Sequence, residues 1–148
     1  MRSFLRDGRA PRPVSARVSE QMRRIRSKDT GPERTLRRLL GQAGLKGYRL
    51  NYAKAPGRPD VAFVGRRVAV FVHGCFWHSC PNCHPPRPRT HKVFWDEKLD
   101  RNRQRDKRIE RALRKAGWRV VTIWECRLRR SPAGAVARVK RALGEKRT

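Results

Sequence analysis

Twelve consecutive residues, Val72-His73-Gly74-Cys75-Phe76-Trp77-His78-Ser79-Cys80-Pro81-Asn82-Cys83, gather three thiols, two imidazoles and two large aromatic rings. Cys75-x4-Cys80-x2-Cys83 has the spacing of a metal knuckle, and Cys126, the last cysteine of the chain, brings the donors to four. Four thiolates fill a tetrahedral zinc shell with no ligand left over. His78 or His84 standing in for a cysteine, or four scattered free thiols, are the competing readings. Between the first two ligands His78 has a pinned backbone. Its imidazole, titrating near neutrality, suits proton transfer from a metal-activated water attacking phosphorus.

The carboxylates are few, so each is informative. Asp60 opens a strand after Gly57-Arg58-Pro59. A carboxylate there, beside a carbonyl of a neighbouring strand, could seat one Mg²⁺, and a plain turn aspartate is the alternative. Asp106 falls mid-stripe on a long helix, where a buried carboxylate needs a partner such as an imidazole, an arginine or a metal-bound water. Glu33 is explained by a Thr30-x-x-Glu33 capping box, with a site role beside it. His73 is either a core histidine bonded to backbone or a supporting group. Phe76, Trp77 and Trp95 read as exposed rigid rings that could wedge between base pairs or stack on bases, against the ordinary fate of core packing. Trp118 and Trp124 read as core.

The composition names the kind of partner. Lys+Arg 39 against Asp+Glu 12 gives a net charge of +27 over 148 residues. That excess points to a polyanion, with an anionic membrane surface as the weaker alternative because the basic residues are not confined to one amphipathic helix. No apolar run approaches the roughly 18 residues that span a bilayer, and no apolar h-region follows the basic N-terminus. A reducing compartment, the bacterial cytoplasm and nucleoid, is therefore expected, and there cysteines serve metals before disulfides.

These residues need elements to position them. Residues 1–18 read as a disordered basic arm, and 19–148 as one domain. Ser19 caps a short helix from Glu20 to about Ser27 that sets Met22 and Ile25 on one face. A second helix starts at Thr30 and buries Leu36, Leu39, Leu40 and, past the turn, Leu45. Strands are predicted over Tyr48–Tyr52, Asp60–Val64 and Val68–Val72, the last apolar enough to be buried on both faces. The proline-rich stretch to Phe94 is irregular. Phe94–Ala116 forms the longest helix, with Trp95, Leu99, Asn102, Asp106, Ile109, Leu113 and Ala116 inward. Gly117 ends it, and Arg119–Trp124 and a helix capped by Ser131-Pro132, with Val136, Val139 and Leu143 inward, complete the order helix, three strands, helix, strand, helix.

Taken together, Gly57-Arg58-Pro59-Asp60, His73-Gly74-Cys75-Phe76-Trp77-His78, Phe94-Trp95-x-Glu97-Lys98, Asn102-x3-Asp106 and Gly117-Trp118-Arg119-Val120 followed by Trp124-Glu125-Cys126 closely resemble the very short patch repair mismatch endonucleases. These are small bacterial enzymes related to restriction endonucleases. The likeness runs over about residues 19 to 128. It implies a restriction-endonuclease-like α/β (α+β) fold, a mixed central sheet flanked by helices with a structural zinc loop. It also implies Mg²⁺-dependent cleavage on the 5′ side of a thymine mispaired with guanine, the lesion left when 5-methylcytosine deaminates. By position it makes Asp60 and the carbonyl of Val72 the Mg²⁺ contacts and His78 the catalytic histidine. Glu33, His73 and Asp106 become supporting residues, and Phe76, Trp77 and Trp95 the rings that enter the duplex. Met22 and Ile25 fall where the N-terminal helix reaches the opposite groove. Two departures stand out. The acid-x-Lys pair of restriction enzymes is replaced by Val72-His73, in keeping with a histidine taking the lysine's place. Cys80 stands where a histidine ligand can occur, and His84 rivals Cys83 for the third zinc position.

The expected function is thus a strand-nicking endodeoxyribonuclease acting on double-stranded DNA with a T:G mismatch, as a monomer, with mismatch-repair accessory proteins as candidate partners and no membrane. A noncatalytic zinc-stabilised binder of distorted DNA and a restriction-type nuclease without mismatch preference are the alternatives.

Overall fold

The computed structural model of the chain describes residues 30–144; the basic arm and the segment bearing Met22 and Ile25 lie outside the described residues. In the first described helix, α1 (Gly31–Gln42), Thr30 is the N-cap: its hydroxyl accepts the Glu33 N–H at 3.3 Å, and Pro32 occupies the first turn. Leu36 and Leu40, four apart and so on one face, are fully buried. Three strands follow, β1 (Arg49–Leu50), β2 (Val61–Phe63) and β3 (Val68–His73). A 24-residue helix, α2 (Lys92–Lys115), crosses back to β4 (Arg119–Trp124), and α3 (Glu125–Arg130) and α4 (Pro132–Ala142) close the described chain.

The sheet runs β1-β2-β3-β4, with antiparallel pairing up to β3 and parallel pairing of β3 with β4. Because strand side chains alternate, β3 serves two layers. Val68, Val70 and Val72 join Leu36, Leu40, Ile123, Leu128 and Val139 under α1, α3 and α4. Ala69 and Phe71 pack with Leu113 and Ile109 of α2. The next residue of that second row is His73. The alternation that builds the core therefore also delivers an imidazole to the α2 side, beside Trp124, its register partner in β4.

Two local devices hold α2 in place. Gly117, at φ 86°, ends the helix, and the Trp118 N–H returns to the Leu113 carbonyl at 2.9 Å. Gly57, at φ 77°, lies under Ile109, whose Cγ2 would be 2.3 Å from any Cβ there. Only glycine meets both demands, and the loop it begins carries Asp60.

The structure departs from the sequence expectation in several places. β1 is two exposed residues rather than Tyr48–Tyr52, although Asn51 and Tyr52 N–H still bond to the Asp60 and Pro59 carbonyls. The left-handed backbone at Asn51 breaks the strand. α2 begins at Lys92, and Ala116 is its exposed C-cap rather than an inward residue. α3 is too short to show a periodicity, and Leu128 alone anchors it in the core. Trp118 and Trp124 are half-buried, because each lies at a sheet margin rather than inside a layer.

Candidate active site

The His-rich loop folds back on itself directly after β3. His78 N–H bonds to the Gly74 carbonyl at 3.2 Å and Cys80 N–H to the Cys75 carbonyl at 2.9 Å. These turns bring Cys75, Cys80, Cys83 and Cys126 together, with the four sulfurs all within 4.8 Å of one another. Cys80 and Cys126 Sγ are 3.7 Å apart. A tetrahedral zinc–thiolate shell with bonds of about 2.3 Å has edges of about 3.8 Å, so the donor set fits that ion. The Cys126 N–H points at Cys75 Sγ and the Asn82 N–H at Cys80 Sγ, both at 3.3 Å. Burial works against the Cys80 thiolate, but backbone N–H groups of Cys83 and Asn82 bring its pKa down to about 7. Cys83 belongs to this group and His84 does not.

The loop also places its two histidines. His73 and His78 are stacked, centroids 3.8 Å apart and planes 3° from parallel, while Trp124 meets His73 edge-on at 5.1 Å. His78 Nδ1 is 2.6 Å from Asp106 Oδ2, both side chains 21 % exposed. A carboxylate oxygen accepts, so Nδ1 donates and Nε2 is the basic nitrogen. Burial, then the His78 charge, pushes the pKa of His73 down to about 4, so its ring is neutral near pH 7. His73 Nδ1 is buried without a hydrogen-bond partner among the described residues, which removes the backbone-bonded core reading. His73, His78 and Asp106 each offer a ligand atom, all within 4.8 Å of one another, so this group too could hold a metal ion.

Across the cleft, one residue before β2 begins, Asp60 Oδ2 accepts the Val72 N–H at 2.7 Å. Burial raises its pKa to about 6 against that hydrogen bond, and the charge of Glu33 adds to the rise. Glu33 itself is 7 % exposed. A half-buried carboxylate pushed upward beside a second, buried acid is an arrangement that a divalent cation would relieve. Glu33, Asp60, Val72, His73, His78 and Asp106 all line one cleft of about 1100 Å³, rimmed by Arg34, Arg58, Lys98 and Arg105. The structure thus brings together the acids and imidazoles singled out in the sequence. Glu125 lines the same cleft and was not anticipated; its position directly before Cys126 was the available signal.

The aromatic residues correct an expectation. Trp95 is only 7 % exposed, and Phe76 and Trp77 are half-buried. The loop turn lays both rings against the first turn of α2, where Phe76, Trp77 and Trp95 contact one another at 5.1–5.8 Å. Trp77 alone of the three lines the cleft. Asn102 donates to the Trp77 carbonyl at 3.1 Å, a tie that sequence showed only as a polar break in an apolar stripe.

A family model described as DNA mismatch endonuclease Vsr matches residues 14–84. The chain is 43% identical over 112 residues to the DNA mismatch endonuclease Vsr of Escherichia coli K12, covering 75% of this chain and 70% of that one. It is 42% identical over 123 residues to the type II nicking enzyme V.XorIIP of Xanthomonas oryzae, covering 82% and 88%. With the nicking enzyme V.NaeI of Lentzea aerocolonigenes it shares 41% over 123 residues, covering 80% and 73%.

Proposed function

The chain belongs to the Vsr family of DNA mismatch endonucleases, and from that premise we propose that it nicks duplex DNA on the 5′ side of a thymine mispaired with guanine. The observation that carries the reading is the pairing, in one basic cleft, of a half-buried acid seat at Asp60 with a carboxylate-oriented imidazole at His78.

Asp60 and the carbonyl of Val72 would hold Mg²⁺, with Glu33 as the neighbouring acid. The bound ion supplies Lewis-acid activation of a phosphate oxygen and lowers the pKa of a water. His78 takes the proton at Nε2. Asp106 fixes the tautomer through Nδ1 and stabilises the imidazolium that results. His73, neutral and stacked behind, sets the plane of the His78 ring. The zinc site of Cys75, Cys80, Cys83 and Cys126 ties this loop to the end of β4 and takes no part in the chemistry.

Trp77, backed by Phe76 and Trp95, is the wedge. Unstacking is cheaper at a mispair, which gives the aromatic edge a means of selecting T:G. The four reduced thiols suit a bacterial nucleoid, where the protein works as a monomer and mismatch-repair proteins are its natural neighbours.

The test is nicking of a labelled T:G duplex against its C:G counterpart with Mg²⁺, for the native chain and Asp60→Ala. The native chain should cut T:G selectively and the variant neither duplex. Equal cutting of both duplexes would leave a restriction-type nuclease, and no cutting in any sequence context a binding module.

A further inference from the structure

We infer that Arg101, Arg105 and Arg108 form a phosphate track along α2 that grips the DNA strand flanking the nick, an inference that rests on the nuclease reading above. Their spacing, +4 then +3, puts them on one helical face. Each stands one residue before an inward residue of the same helix, so the track runs beside Asn102, Asp106 and Ile109 along its length.

Arg103, Lys107 and Arg111 are also exposed on α2 without an ion pair among the described residues. It is therefore the groove beside Arg101, Arg105 and Arg108, together with their lack of acid partners, that marks this face. Asp96 and Asp100 are held by Arg87, Asp96 also by Lys92, and Glu110 by Arg114. Lys98 lies over the rings of Trp77 and Phe94, 5.7 Å from each centroid. Among the described residues, Arg101, Arg105 and Arg108 are exposed and none of them ion-pairs with an acid. Three guanidinium groups at i, i+4 and i+7 repel one another and weaken their own helix. An ordinary solvated face would intersperse acids to remove that cost, whereas a row of phosphates removes it from outside.

The shape agrees. A second groove of about 310 Å³ is lined by the three arginines with Lys98, Asn102 and Gln104. Lys98, Asn102 and Arg105 also line the catalytic cleft, so the groove continues it. Arg101 to Arg108 rises about 10 Å along the helix, at about 1.5 Å per residue. Measured along the duplex axis, that matches about three base steps at roughly 3.4 Å each. The planar guanidinium fork suits phosphate oxygens better than a lysine would.

The experiment scans a T:G duplex with single neutral methylphosphonate linkages, reading affinity of the zinc-loaded full chain without added Mg²⁺. The native chain should lose affinity at about three consecutive phosphates beside the scissile one. The triple variant Arg101→Gln/Arg105→Gln/Arg108→Gln should be indifferent at those phosphates. The slope of log affinity against log salt should fall by about 2 to 3 in that variant. Arg→Lys at the same positions should restore most of the slope. Melting temperature controls for folding, and removing mutual repulsion should leave it unchanged or raised. An unchanged interference pattern and salt slope in the Gln variant overturns the track, as does a lowered melting temperature with interference intact. If the native chain shows the track yet cuts neither duplex, the track stands and the mismatch-nicking reading falls.

Discussion

The imidazole of His73 lies flat on that of His78, 3.8 Å away, and His78 Nδ1 is 2.6 Å from Asp106. One ring is thus held from behind by a neutral partner and from the side by a carboxylate. Burial, with the His78 charge beside it, holds the pKa of His73 down to about 4, so the His73 ring is neutral in that stack near pH 7.

Replacing Asp106 by Asn should therefore act on the chemistry and leave binding alone. The amide can present either oxygen or nitrogen to Nδ1 and no longer enforces the tautomer. Single-turnover nicking of a bound T:G duplex is expected to slow by about 10²-fold or more, the usual worth of a positioned base. Affinity measured by anisotropy should stay within about twofold, since a fold-level defect would move both.

Asp60 gives a prediction with a definite sign. Its pKa lies near 6 in the folded protein against 3.8 for an ordinary aspartate, so folding favours the protonated form. Its contribution to stability is complete below the unfolded value and is lost as pH rises through about 6. Asp60→Asn, which keeps an acceptor for the Val72 N–H, should stabilise the Mg²⁺-free protein at pH 7.5 by about 1–2 kcal/mol after discount for partial exposure. The gain should fade toward pH 4 and be accompanied by loss of nicking. His73 has the opposite sign: its stabilisation, present above pH 6.5, is lost as pH falls toward 4.

With Asp60 as the proposed Mg²⁺ seat, the same proton would compete with the ion in the native chain. Titrations of nicking with Mg²⁺ should show a higher half-saturating concentration at pH 5.5 than at pH 7.5, with much of the lost rate recovered at high Mg²⁺. An identical Mg²⁺ requirement at the two pH values would remove Asp60 as the seat.

Much of this is legible in the amino-acid sequence itself. Cys75-x4-Cys80-x2-Cys83 is a local spacing, and Asp60, His78 and Asp106 stand out because acids and imidazoles are rare among so many arginines. The Thr30 cap and Gly117 stop rest on short-range chemistry and were equally legible. What was hidden depends on elements far apart in sequence. The β3–β4 register sets Trp124 against His73, and the crossing of α2 over the loop buries Trp95 and joins Asn102 to Trp77. No periodicity within one segment encodes such contacts.

Gly57 is one of those hidden contacts, and it can be tested by stability alone. Gly57→Ala adds a Cβ both at a left-handed φ and against Ile109. The expected loss is about 2–4 kcal/mol, from left-handed strain and overpacking together. Ile109→Ala added to Gly57→Ala should recover the packing part but not the backbone part. A double-mutant cycle in urea separates them, and purely additive losses would mean that the two residues do not meet.

The four-cysteine group and the proposed aromatic wedge meet at Trp77. Its backbone is fixed by the Cys75–Cys80 turn on one side and by the Asn102 amide on its carbonyl, while Lys98 sits 5.7 Å over its face. Asn102→Ala removes one tether and leaves the cysteines intact. Zinc content should stay at about one ion per chain, the capacity of a four-thiolate shell. The T:G over C:G nicking ratio should nevertheless fall by about tenfold, the equivalent of one hydrogen bond of roughly 1.4 kcal/mol in the transition state. Cys126→Ser, by contrast, should lower zinc content, melting temperature and all nicking together, with no rescue by Mg²⁺. If Asn102→Ala loses T:G and C:G cutting in equal proportion, Trp77 is a support for the loop and not the part that senses the mispair.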